Sequence, residues 1–150
     1  MTNLPTESTI NDVLIALSRS FLQYVAECWP WVDVTDRGIE LQVQGLAARQ
    51  RQDVSELVHL LIRREWAIDF GSFPTEYTDL HFISLGTLLE RLQIGQSRID
   101  DRLMAATQAL CDSSDEEAKS LVEAISGRQK DIGNSIQQLQ QELAGSGAQA

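Results

Sequence analysis

The chain has 150 residues, of which 43% are hydrophobic, enough for one domain with a core of its own. Its formal net charge of −10 repels nucleic-acid phosphates and anionic membrane surfaces, which excludes both as expected partners. No apolar run is long enough to span a bilayer, and the polar, acidic start has no basic and apolar leader segment. The two cysteines, Cys28 and Cys111, form no CxxC pair, so the expectation is a cytoplasmic protein with reduced thiols.

Hydrophobic periodicity predicts four amphipathic helices between a flexible N-terminus (1–7) and a flexible C-terminal tail (144–150). The first spans about 10–31, with Ile10, Leu14, Leu17, Phe21, Tyr24 and Cys28 on one face and Pro30 forcing a stop. Asp36, Arg37 and Gly38 then read as a turn, and the β-tolerant stretch 32–43 reads as a loop. The second helix spans about 42–65, with Val43, Leu46, Ala47, Val54, Leu57, Val58 and Leu61 along its stripe. The third spans about 79–111, with Leu85, Leu88, Leu89, Leu92, Ile99, Leu103, Ala106 and Leu110 at near-heptad spacing. The fourth spans about 115–143, with a capping-box signature at Ser114 and Glu117 and a stripe from Ala118 to Leu143.

The connections set the topology. Short turns make helices one and two, and three and four, antiparallel hairpins. The connection between helices two and three, residues 67–78, spans roughly 40 Å when extended. A helix of about 24 residues is roughly 36 Å long. The connection can therefore run the length of the bundle, making helices two and three parallel, and this crossover is favoured over a plain up-down-up-down arrangement. The fold class is all-α: an antiparallel four-helix bundle (8–143) with a long connection between helices two and three.

Ser55-Glu56-Leu57-Val58-His59 contains Glu-x-x-His. With two helical hairpins and a long middle connection, the chain resembles the ferritin-like superfamily, as do the segments WPW and PTEYTDLH. That resemblance implies di-iron or di-manganese chemistry, as in an oxidase or a metal-handling protein, with carboxylates and histidines converging inside the bundle. Glu27, Glu56, His59 and His81 are the residues it offers as iron or manganese ligands. The second Glu-x-x-His is absent, since His59 and His81 are the only two histidines. On a helical wheel Glu56 and His59 point away from the apolar stripe of helix two. The residues thus favour a degenerate site and no resident cofactor.

Polar residues on the apolar seams are Tyr24, Gln50, His81, Gln96 and Gln129. Counting out from the turn near Ser113 places Gln96 and Gln129 in one layer, where their amides should bond and fix register. Replacing both by leucine should keep or raise stability while weakening the uniqueness of the fold. The remaining feature is aromatic: Trp29, Trp31, Trp66, Phe70, Phe73 and Tyr77 gather at helix ends and in the long connection, as a loop cluster or as a contact for another protein or a second copy. Neither cysteine has a His or Lys close in sequence to activate it. The expected function is a non-catalytic helical scaffold or interaction domain, with the degenerate ferritin-like metal protein as the alternative.

Overall fold

The computed structural model describes residues 5–33, 36–79 and 82–147, and 78% of those residues are helical, with five α-helices packed together. These are α1 (Thr6–Ser18), α2 (Phe21–Glu27), α3 (Arg37–Arg63), α4 (Leu85–Ala109) and α5 (Glu116–Gly147). A 3-10 turn (Thr75–Asp79) and two short strands, β1 (Trp31–Val32) and β2 (Phe82–Ile83), complete the described elements. His81 lies outside the described residues.

The first predicted helix is two helices. Ser20 interrupts it: its hydroxyl accepts from Gln23 N at 3.2 Å, capping α2, and donates to Gln50 Oε1 at 2.7 Å. Ser20-x-x-Gln23 is itself a capping-box spacing, which a continuous apolar stripe obscures. The helix α3 starts earlier than the periodicity predicts, because Asp36 accepts from Ile39 N at 3.1 Å and serves as N-cap, so Arg37 and Gly38 are helical rather than a turn. The cap of α5 is Asp115, which accepts from Ala118 N at 3.2 Å, and not Ser114. β1 straddles the end of the predicted first helix and the start of the stretch read as loop, and it pairs in parallel with β2 (Trp31 with Phe82, Val32 with Ile83).

Contacts at the helix ends show which termini meet. Arg64, just past α3, reaches Asp115 at 2.6 and 2.9 Å, Glu117 at the start of α5, and Glu7 in the first turn of α1. At the other end, Asp33 after β1 accepts from Leu85 N at 3.0 Å, where α4 begins. The connection from Trp66 onward lies along α1 and α2. Asn11 exchanges two hydrogen bonds with Asp69 (2.9 and 3.0 Å), Arg19 Nε donates to the carbonyls of Phe70 and Gly71, and Phe73 and Tyr77 stack on Tyr24.

The core is two apolar clusters with a polar layer between them. One holds Leu22, Val43, Leu88, Leu92, Ile132 and Ile136; the other holds Leu14, Leu17, Leu57, Leu61, Leu103 and Ile125. On every long helix the change from one cluster to the other falls at a buried polar residue: Gln50 and Asp53 on α3, Gln96 on α4, Gln129 on α5, and Ser20 at the α1–α2 break.

A buried amide and carboxylate layer as the candidate functional site

The layer is a connected network. Gln129 is fully buried, and its carbonyl oxygen accepts from Gln96 Nε2 at 2.8 Å and from Gln50 Nε2 at 3.0 Å. Its Nε2 donates to Asp53 Oδ2 at 2.7 Å. On the α2 side, Gln50 Oε1 accepts from Ser20 Oγ and from Gln23 Nε2, which also donates to Ala47 O at 2.8 Å. On the outer side, Arg128 donates from Nε to Asp53 Oδ1 at 2.7 Å and from Nη2 to Glu56.

Asp53 is the electrostatic centre of this layer. It is only 2% exposed, and an ionised carboxylate at such depth is costly unless paired and hydrogen-bonded. Arg128 supplies the charge and Gln129 the second hydrogen bond. Burial works against the Arg128 charge, but the hydrogen bond and charge of Asp53, followed by Glu56, raise its pKa above the ordinary arginine value. Gly133 on α5 faces α4 beside the layer, where a Cβ would lie 3.4 Å from Gln96 Cγ. The oxygens Gln93 Oε1, Gln96 Oε1 and Asp100 Oδ1 are buried without a hydrogen-bond partner among the described residues. Burial pushes the Asp100 carboxyl above its usual range, which Lys130 partly offsets.

The amides of Gln96 and Gln129 meet, as the count from the turn places them, but they are not an isolated pair. Because Gln129 also donates to Asp53, its replacement by leucine leaves Asp53 Oδ2 without its amide donor, and the double leucine variant should lose stability rather than keep it. Asp53 falls three residues after Gln50 and seven after Leu46, so helical spacing carried the signal of an inward carboxylate. Arg128 could not be read so, because its role depends on reaching across from α5.

Of the residues offered as metal ligands, the described ones, Glu27, Glu56 and His59, do not converge on a metal-binding group. Glu27 and His59 are exposed, and Glu56 is half-buried rather than fully turned to solvent, held by Arg128. Among the described residues no group of three or more His, Cys, Asp or Glu is placed to hold a metal ion. The donor set at mid-bundle is amides plus two carboxylates already engaged by a guanidinium. It does not fit a pair of iron or manganese ions.

The six aromatic residues separate. Trp66 packs with the cluster around Leu57, while Trp29 and Tyr77 pack with the other. Phe73 stacks with Tyr24 and Tyr77 and carries Arg19 over its ring at 4.9 Å. Phe70 is partly exposed, and Trp31 stands out at 76% exposure. Its neighbour across the strand pair is Phe82, 80% exposed, which sequence reasoning missed because the pairing joins residues far apart in the chain.

Fold and site together define a mostly helical protein with a polar layer through its core. Comparison with protein-family models, curated proteins and solved structures finds no significant match. Among the described residues no helix is long and apolar enough to cross a membrane.

Proposed function

We propose that the chain is a non-catalytic helical interaction module: a ferritin-like bundle of four helical units, α1 with α2 counting as one, that presents an aromatic contact at one end. The ferritin-like topology is supported by the connection lying along α1 and α2 from Asp69 to Tyr77, with α3 ending beside the start of α5 and α4 starting beside β1. That arrangement favours parallel α3 and α4, as a crossover requires.

The observation that carries the function is the pair Trp31 and Phe82, side by side in register and largely solvent-exposed on a two-stranded sheet. Large aromatics are favoured anchors in protein contacts, and a short sheet leaves edge groups that an added strand can pair. Glu27, Asp33 and Asp36 lie close to Trp31 in the chain and are exposed. With exposed Arg37 counted, the segment 27–37 still carries an excess of acidic groups, which favours a basic partner over a second copy of a chain carrying −10. A photo-crosslinking residue at position 82, compared with one at exposed Ile62, tests this in intact cells. Discrete adducts at 82, weakened by Trp31→Ser, are expected; the same pattern at both positions, or none at 82, would rule the reading out.

A further inference from the structure

One concavity of the molecule is separate from the polar layer. A cavity of about 410 Å³ opens between α2, the 3-10 turn and α4, lined by Phe21, Tyr77, Ile94 and Gly95 and by the charged side chains Glu76, Glu90, Arg91 and Arg98. That volume lies in the range of small-molecule sites.

Arg91 and Arg98 are seven residues apart on α4, hence nearly in line and roughly 10 Å apart along its axis. In a chain with ten more acidic than basic residues (22 against 12), neither makes an ion pair among the described residues. Between them Gly95 has no side chain, and a Cβ there would meet Phe21 Cβ at 3.4 Å, so the groove floor at this point is the α4 backbone. The rings of Phe21 and Tyr77 stand 5.2 Å apart, forming one apolar wall. Burial raises the Tyr77 pKa; Glu76 adds to the rise, and Arg98 is close enough for its charge to oppose it. The phenol therefore stays neutral as a hydrogen-bond donor beside a guanidinium.

We propose that this groove binds a small aromatic monocarboxylate, its ring against Phe21 and Tyr77 and its carboxylate held by Arg91 and Arg98. Guanidinium groups suit a planar carboxylate geometrically, and flat rings suit the aromatic wall. Glu76 and Glu90 on the same lining repel a second negative charge, which selects against dicarboxylates and phosphate dianions.

The test uses the full chain and three probes of one shape: 1-naphthoate, neutral 1-naphthalenemethanol and cationic 1-naphthylmethylamine, titrated by calorimetry while the Gly95 amide is followed by NMR. Naphthoate is expected to bind at least about tenfold tighter than either analogue and to shift the Gly95 signal. Arg91→Gln with Arg98→Gln should lose about tenfold or more for naphthoate and little for the alcohol. Arg102→Gln, on α4 but outside the groove, should bind as wild type does. Both arginines are exposed, so circular dichroism of the double variant should match wild type. No naphthoate binding, equal binding of acid and alcohol, preference for the amine, or an unaffected double variant would each overturn the proposal.

Discussion

Replacing Gln129 by leucine and, separately, Gln96 by leucine distinguishes a network centred on Asp53 from a simple amide pair. Leucine has nearly the volume of glutamine, so cavity effects are small in both variants. In Gln129→Leu, Gln50 Nε2 loses its acceptor and Asp53 Oδ2 loses its amide donor, while Gln96 Nε2 keeps the Gln129 backbone carbonyl at 3.2 Å. An orphaned buried donor costs about 1–3 kcal/mol, and an orphaned carboxylate oxygen more, so the loss is about 3–6 kcal/mol. For a domain of this size that is roughly 10 °C or more in Tm. Gln96→Leu instead removes a side chain whose own Oε1 has no partner and leaves Gln129 Oε1 bonded to Gln50. Its effect should lie within about 1 kcal/mol of wild type, of either sign. Urea denaturation with the slope monitored for two-state behaviour measures both. Equal losses in the two variants, or a neutral Gln129→Leu, would refute the central place given to Asp53.

Acid should weaken the end of the molecule where Arg64 joins three helices. The Arg64 hydrogen bond holds the Asp115 carboxyl below its usual range, and Arg63 followed by Arg64 does so for Glu117. Folded values below unfolded ones mean that this stability is present above about pH 4 and lost as pH falls through the folded values. Arg64→Met should therefore flatten the dependence of the urea midpoint on acid pH. Asp100 runs the other way: its folded pKa is raised, so stability falls as pH rises through that value, and Asp100→Asn should raise the midpoint at neutral pH but not at acid pH. Two backbone positions should move in opposite directions. Gly71→Ala, at φ +69° with a Cβ 2.8 Å from Ile15 Cγ2, should cost about 1–3 kcal/mol, whereas Glu65→Gly, at φ 56° in the Schellman turn ending α3, should gain up to about 1 kcal/mol in thermal or urea unfolding. Cys28 and Cys111 are exposed and free, one beside β1 and the other after α4; mild oxidation should give no intrachain disulfide on non-reducing gels, and a readily formed one would contradict the crossover.

Helix faces were legible because burial follows the 3.6-residue period: Leu57, Leu61, Leu88, Leu103 and Ile125 all lie in the core. Gln96 and Gln129 could be paired by counting from a tight turn, which fixes antiparallel register. The break at Ser20 and the early start of α3 were hidden because each depends on one side-chain cap that periodicity ignores. Arg128 on Asp53 and Phe82 beside Trp31 were not legible, since each contact joins segments whose relative placement only the folded chain defines. The Glu-x-x-His motif was too short to carry a site: four residues specify spacing along a helix, not what faces them across the bundle, and here Glu56 meets a guanidinium.

The interaction reading rests on one exposed aromatic pair, so the most direct measurement couples stability and binding in Trp31→Ser with Phe82→Ser. Both side chains are largely in solvent, and their removal should leave the urea midpoint within about 0.5 kcal/mol of wild type. The mass of the complex recovered from cells after general amine crosslinking should then collapse to that of the single chain. An unchanged midpoint with an unchanged crosslinked mass would contradict the account, and so would a large fall in stability, which would make the pair part of the fold.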